Sequence, residues 1–342
     1  MKLAIIFGGK SYEHEISIVS TIVLQKILNH SLEFVFCDGE NDFYHITPNN
    51  MKSEYFTSGA YKKAKKLHLL KGGFYHLGLF AKTLLPTDCA LNLIHGGFGE
   101  EGTLSAMLEY SQMLFIGPRT QACVFSYHKA HTKLYTKSVQ VATLDYEIYQ
   151  ENTKPKLPFP LIIKPCRGGS SIGIFVAHNE QELEYYTAEA LEYDTEIIYE
   201  PYIENIKEYN LAGYFADNKM NFSIVEEPQK NKILDFEKKY LDFARDEKVQ
   251  KADISEEIEK SLQEAFTKIY TPLFKGAIIR CDFFVLDDKV YLNEINPIPG
   301  SMANYLFDDF NTALEQVYFA LPKAHNIEVS YQYLHQIKSA KG

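Results

Sequence analysis

The chain begins with an apolar run, residues 3–7, that stops at Gly8-Gly9, the pattern of a buried strand entering a glycine turn. Behind it "EISIVSTIVLQKIL" sets apolar residues at helical spacing, and "SLEFVFCDG" predicts a second strand. "CALNLIHGGFGEEG" repeats the strand and glycine turn, with a helix "TLSAMLEYSQML" and a short strand "FIG" after it. Strands alternating with helices predict a doubly wound parallel sheet over residues 1–117. A helical stretch, "QACVFSYHKAHTKLYTKSV", comes next. "FPLIIKPCRGGSSIGIFVA" then reads as strand, glycine-rich loop and strand, and "EIIYEPYI" as a further strand. The last third has an antiparallel character, with "EYNLAGYFA" and "MNFSIVEE" flanking an Asp217-Asn218 turn. A polar run, residues 226–251, precedes a helix in which Ile254, Ile258, Leu262, Phe266 and Ile269 share one face. "GAIIRCDFFVL" and "VYLNEIN" close the pattern as a strand pair.

The expectation is an α/β protein of three units. They are an N-terminal α/β unit (1–117), a small central α+β unit (118–198) and a larger C-terminal unit with a mixed or antiparallel sheet (199–342). A length of 342 residues agrees with two or three domains. Hydrophobic residues at 46% and charged residues at 23% are ordinary for a soluble globular chain. Lys and Arg number 35 against 45 Asp and Glu, a net charge of −10, which argues against a nucleic-acid surface and a polybasic membrane anchor. The five cysteines (Cys37, Cys89, Cys123, Cys166, Cys281) are scattered without a C-x-x-C pair, which fits a reducing compartment and neither a zinc site nor a disulfide framework. The apolar start is too short for a signal-peptide core, and no run approaches the roughly 18 apolar residues of a spanning helix. These features point to a cytoplasmic enzyme of metabolites.

Two familiar patterns mislead. "GGKS" at residues 8–11 ends as a phosphate-binding P-loop does, but Ala4 stands where the first glycine belongs. Gly97-Phe98-Gly99-Glu100-Glu101-Gly102 is a formal G-x-G-x-x-G, yet its two acids would repel a pyrophosphate.

"RCDFFVLDDKVYLNE" is a hairpin candidate with Asp287-Asp288-Lys289 at its tip. A three-residue loop pairs Leu286 with Val290, Phe284 with Leu292 and Asp282 with Glu294. Side chains alternate along a strand, so this register places Asp282, Glu294 and Asn296 on one face, whereas an even-length loop sends Asp282 to the other. Two carboxylates and an amide oxygen suit Mg²⁺. The plainer reading is a sheet face with charged rims, which leaves "NEINP" unexplained if that face is covered.

"LIIKPCRGGSSIGI" supplies Lys164 at a strand end, followed by Gly168, Gly169, Ser170 and Ser171, a loop able to wrap phosphates with backbone N–H groups. The plainer reading is a flexible hairpin with an incidental lysine. Glu13, in "FGGKSYEHEIS", either caps the helix that follows or receives the ammonium group of a small substrate, and on this segment alone capping is the expectation. Among the histidines, His95, at a strand end before "GGFG", is the one of interest. The run 226–251, with "EKKYLDFARDEK" inside it, suits either a solvated face or a lid over a phosphate site.

In this order and combination, "FGGKSYEHEIS", "LIHGGFGEEG", "IIKPCRGGSSIGI", "EKKYLD", "IIRCDFF" and "YLNEINPIPG" resemble the D-alanine–D-alanine ligases of the ATP-grasp superfamily, over residues 1 to about 321. The resemblance implies ATP as substrate and two Mg²⁺ or Mn²⁺ ions, held by Asp282, Glu294 and Asn296. It implies that the first D-alanine is phosphorylated to an acyl phosphate, which the amine of the second then attacks. Lys129 and Lys164 resemble the phosphate-binding lysines, with Gly169 and Ser171 in the glycine loop. Glu200, Tyr202 and Ile203 resemble the adenine pocket, and Glu208 the ribose-binding acid. Glu13 resembles the acid for the first ammonium, linked through Ser170 to Tyr240. His95 lies beside it, Arg280 and the Gly300 N–H face the oxyanion, and Lys239 in the lid reaches the transferring phosphoryl. A homodimer is implied as well.

Some positions depart from the family pattern. Tyr305, followed by Leu306, stands where a serine usually meets the second substrate's carboxylate. Gly168 replaces an acid and Cys166 a serine, and residues 40–88 match poorly. The Tyr240 motif favours peptide formation. The alternatives are a D-alanine–D-lactate or D-alanine–D-serine ligase, and a catalytically silent ATP-binding module.

Overall fold

The computed structural model describes residues 1–228, 249–323 and 328–340. The first apolar run becomes β1 (Lys2–Gly8), central in an eight-stranded sheet. β2 (Ser31–Cys37) and β7 (Cys89–Asn92) flank it in parallel, and β8 (Phe115–Ile116) runs parallel to β7. Leu3, Ile5 and Phe7 enter one core and Ala4 and Ile6 another, so both faces of β1 are covered and the strand is apolar throughout.

The doubly wound parallel arrangement holds for these four strands. On the other side of β2, β3 (Phe43–Ile46), β4 (Lys65–Leu70), β5 (Gly73–Leu77) and β6 (Lys82–Leu84) continue the sheet antiparallel. The link between β4 and β5 is Lys71-Gly72 alone, far short of the dozen or so residues that a parallel crossover needs. The segment that fits the family pattern poorly is thus an antiparallel extension of the first sheet.

A second sheet, wholly antiparallel, has the order β11 (Phe175–Ala177), β10 (Leu161–Pro165), β12 (Ile197–Pro201) and β9 (Glu147–Ile148), with the helix Glu180–Leu191 packed on it. The third is antiparallel too: β14 (Lys219–Glu226), β13 (Lys207–Ala216), β15 (Ile279–Leu286) and β16 (Lys289–Asn296). Its covering helix, Glu256–Leu273, is capped by the Ser255 side chain and buries Leu262, Phe266 and Ile269, while Ile254 precedes the cap. The expected turn Asp217-Asn218 joins β13 to β14.

The helical stretch after residue 118 is broken at His128, whose extended backbone and ring cap a second helix, Lys129–Ser138, behind the first, Thr120–Tyr127. Both pack against the third sheet through Ala122 and Tyr135. The helix Phe310–Phe319 places Phe310, Ala313, Leu314 and Val317 in the same core as Leu3, Ile5 and Phe7, which draws the first and third sheets together. No helix among the described residues is long and apolar enough to cross a membrane.

Candidate active site

The hairpin of β15 and β16 forms the floor of a cavity of about 240 Å³. Its turn is two residues, Asp287-Asp288, both at positive φ (48° and 58°), so the expected three-residue loop is corrected. Leu286 pairs with Lys289, and Phe283 with Leu292. There the ladder shifts: Asp282 faces Glu294, and Asn293 is the extra residue of a β-bulge. A two-residue turn alone would have opposed Asp282 to Asn293. Beyond the bulge the register is the expected one. Asp282 and Glu294, then Arg280 and Asn296, form pairs on the face away from the buried Cys281 and Ile295.

Asp282 is 3% exposed and accepts from Arg280 at both oxygens, Nε to Oδ1 at 2.7 Å and Nη2 to Oδ2 at 2.8 Å. Asn296 Nδ2 adds a bond to Oδ2 at 3.0 Å. Burial pushes the Asp282 carboxyl up, Arg280 pulls it down, and adjacent Glu294 pushes up again, with a net upward shift. Neighbouring carboxyls in a buried site are costly without a cation. The donors are all hard oxygens, counting the Asn296 carbonyl, and fit magnesium or manganese better than a softer metal. Among the described residues no three His, Cys, Asp or Glu cluster as a metal site, so a cation here would rest on two carboxylates and the amide.

The wall opposite comes from the first sheet. Glu13 holds the N-cap position of the helix His14–Ile27 but makes no side-chain bond to it, which corrects the capping expectation. Its carboxylate, in a residue only 8% exposed, accepts from Ser170 Oγ at 2.6 Å. Burial and then the charge of Glu100 push it up, against the Ser170 hydrogen bond and His95. Gly96 makes this approach possible, since a Cβ there would sit 2.9 Å from Glu13 Oε2. Gly99 is fixed by packing, because a Cβ would lie 2.1 Å from the Ile94 carbonyl. The glycine pattern that mimics a dinucleotide loop is thus explained by close backbone packing. His95 is 3% exposed, with Nδ1 3.7 Å from Glu100 Oε1 and a buried Nε2 that has no hydrogen-bond partner among the described residues.

The glycine loop of the second sheet forms a third side. Gly168, Gly169 and Ser170 line the cavity, with Ser170 and Ser171 at positive φ, and Lys129 Nζ donates to the Gly168 carbonyl at 2.9 Å. The break at His128 sets Lys129 at the start of its helix, and burial lowers its ammonium. Behind this side Lys164 donates to Glu200 Oε2 at 2.5 Å and to Asn293 Oδ1 at 3.2 Å, while Lys133 holds Glu200 Oε1. Burial alone would raise Glu200, but Lys164 and Lys133 outweigh it and bring the carboxyl down to about 2.

At the far end Arg280 Nη1 reaches the Tyr305 hydroxyl at 3.4 Å, and burial pushes that phenol up to about 12, which keeps it neutral. Gly300 lines the cavity beside them and begins a stretch in which Ser301, Met302 and Ala303 are all left-handed. Such backbone costs roughly 1–2 kcal/mol per residue and is held by its surroundings. Here the Ser301 N–H donates to Ser20 Oγ and Asn304 Nδ2 to the Ser301 carbonyl. Glu208 lines the cavity as well.

Tyr202 and Ile203 directly follow β12, and Leu306 is buried against Ala212 and Ala303, outside the cavity lining. Lys239 and Tyr240, with most of the run 226–251, lie outside the described residues. Lys133 and Asn293 were not singled out from the sequence. The spacing Lys129-x-x-x-Lys133 on a helix was a signal for the first, but a bulge has no such signature.

A sequence profile described as the D-ala D-ala ligase N-terminus matches residues 2–118, and one described as the D-ala D-ala ligase C-terminus matches residues 134–313. The D-alanine--D-alanine ligase of Wolinella succinogenes is 54% identical over 344 residues, spanning 100% of each chain. That of Campylobacter jejuni subsp. doylei is 52% identical, over 100% of this chain and 99% of the other. Among solved structures, the D-alanine–D-alanine ligase from Helicobacter pylori superposes with a TM-score of 0.85 at 43% identity, over 95% of this chain and 100% of that one.

Proposed function

The chain belongs to the D-alanine–D-alanine ligase family, and from that membership we propose that it uses ATP to join two D-alanines into D-alanyl-D-alanine for peptidoglycan precursor synthesis. The observation that carries this reading is the meeting of three sheets at one cavity, where Glu13 and Ser170 face the Arg280–Asp282–Glu294 cluster.

The carboxylate of the first D-alanine attacks the γ-phosphoryl group, giving an acyl phosphate and ADP. Glu13, oriented by Ser170, takes the ammonium group of that first substrate, with His95 beside it. The neutral amine of the second D-alanine then attacks the acyl carbon, and phosphate leaves from the tetrahedral adduct. Arg280, fixed in direction by Asp282, and the backbone N–H of Gly300 stabilise the oxyanion; losing one such fixed donor typically costs about 3–4 kcal/mol. Lys129 and Lys164 contact phosphates, with Gly169 and Ser171 in the loop. Glu200, Tyr202 and Ile203 bound the adenine site, and Glu208 meets the ribose. Asp282, Glu294 and Asn296 would hold magnesium or manganese, which supplies charge neutralisation for the phosphates. Tyr305 and Leu306 bound the second substrate, while Lys239 and Tyr240 belong to the lid.

On this reading the chain divides into units at 1–117, 118–198 and 199–342, and works as a cytoplasmic homodimer. The test is phosphate release with ATP, magnesium and D-alanine, with the product identified by mass and the assay repeated on Glu294→Ala. D-alanine-dependent release, a dipeptide product and loss in the variant are expected. A product formed only with D-lactate or D-serine would move the assignment within the fold. ATP binding without any turnover would leave a silent module.

A further inference from the structure

Lys133 is a buried cation that none of the roles above uses. It sits one helical turn after Lys129, and its side chain is 3% exposed. Its ammonium meets Glu200 Oε1, donates to the Leu144 carbonyl at 3.3 Å and lies 5.7 Å from the centre of the Tyr146 ring. Those partners face it away from the cavity, whose lining does not include it.

Glu200 therefore stands between two ammonium groups, with Lys133 on Oε1 and Lys164 on Oε2. One carboxylate cannot neutralise both. Asp145 lies within Coulombic range of Lys133, and Lys129 and Glu294 act on each other on the cavity side. A closed pair of Lys164 with Glu200 alone would hold its charges on one another, and drawing Lys164 towards an anion would strand a buried carboxylate. With Lys133 behind, the carboxylate keeps a partner whatever Lys164 does. Among the described residues Lys164 also donates to Asn293, the bulged residue of β16, which lines the cavity.

We propose that Lys133 is a positioning residue for nucleotide binding: it compensates Glu200 from behind and so leaves the charge of Lys164 in surplus for the phosphates. This rests on the ATP-binding reading above and deepens it. The consequence separates two parts of one ligand. Phosphate affinity depends on Lys133, whereas the base and ribose gain nothing from the surplus charge.

The test is calorimetric binding of ATP and of adenosine, with magnesium, to the full-length protein and to three variants. For Lys133→Met, ATP affinity is expected to fall about tenfold or more while adenosine affinity changes much less, since Lys164 is then left in a closed pair with Glu200. Lys133→Arg keeps the charge and is expected to retain most of the ATP affinity. Lys133→Met/Glu200→Gln removes both buried charges and leaves Lys164 in surplus again, so its ratio of ATP to adenosine affinity is expected to return to within about threefold of the parent. If Lys133→Met fails to fold, Lys133→Gln, which removes the charge but keeps a hydrogen-bond donor for Glu200, is measured in its place with the same selective loss of ATP affinity expected. Equal losses for ATP and adenosine, or a double variant with no recovery of the ratio, would overturn the inference. Failure of the parent protein to bind ATP at all would instead overturn the nucleotide reading itself.

Discussion

Two buried glutamates show how one residue type is put to opposite uses. Glu200 is held ionised by its lysines, with its carboxyl lowered to about 2 from an ordinary 4.5. Its stabilising contribution is present above pH 4.5 and is lost as pH falls from there towards 2. Melting temperature recorded across that window should fall less for Glu200→Gln than for the parent; identical slopes would refute the assignment. Glu13 is shifted the other way, by burial and Glu100. A raised carboxyl means that the folded state binds the proton more tightly, so stability is greatest below the ordinary 4.5 and declines as pH rises through the raised value. Glu13→Gln should therefore melt at or above the parent's temperature at neutral pH, yet raise the KM for the first D-alanine at least about tenfold, as expected when a charged hydrogen bond is lost. Loss of stability together with activity would mark Glu13 as structural. The sequence placed Glu13 at a helix start, where capping is the cheaper explanation. The link to Ser170 came only with the family resemblance and not from the residues themselves, because the two are brought close only when two sheets meet.

At the scale of elements, regular strands and helices were legible because their periodicities are local. The irregularities were not, and they are what aims the site. The hairpin expectation reached the right final pairing of Asp282 with Glu294 by the wrong route, a longer loop in place of a tight turn followed by a bulge. The two routes differ at Asn293, which the longer loop would have opposed to Phe283 and which the bulge brings to Lys164. The break at His128 is of the same kind: one ring replaces a helical hydrogen bond, and Lys129 moves to a helix start. The tight turn carries its own prediction. Asp287 and Asp288 are both left-handed, a conformation that glycine adopts without the Cβ penalty. Asp288→Gly, far from the cavity lining, should stabilise the protein by about 1 kcal/mol and leave kcat unchanged. A lowered melting temperature would show that the aspartate side chain outweighs its backbone strain.

At the scale of the whole molecule, long-range packing decides which parts unfold together, and little of this is visible in the sequence. The helix Phe310–Phe319 lies about 300 residues from β1, yet shares its core. Asn311 binds both ends of the turn after the helix His14–Ile27, donating to the Ile27 carbonyl at 3.1 Å and accepting from the Asn29 N–H at 2.8 Å. Tyr214 of β13 donates to Gln316 of the same helix at 2.6 Å. The second sheet, by contrast, has a core of its own around Leu161, Ile163 and Tyr199. Truncating a fully buried leucine costs roughly 2–5 kcal/mol wherever it sits, but these two cores distribute the loss differently. Leu314→Ala should lower hydrogen-exchange protection in β1, β2 and β13 together, because one cluster spans both sheets. Leu161→Ala should lower it in β10, β11 and β12 and spare β1. Exchange that is enhanced only around the last helix in Leu314→Ala would mean that the helix is a surface attachment. The cavity would then depend on some other contact to keep Glu13 within reach of Ser170 and Arg280 at its opposite wall.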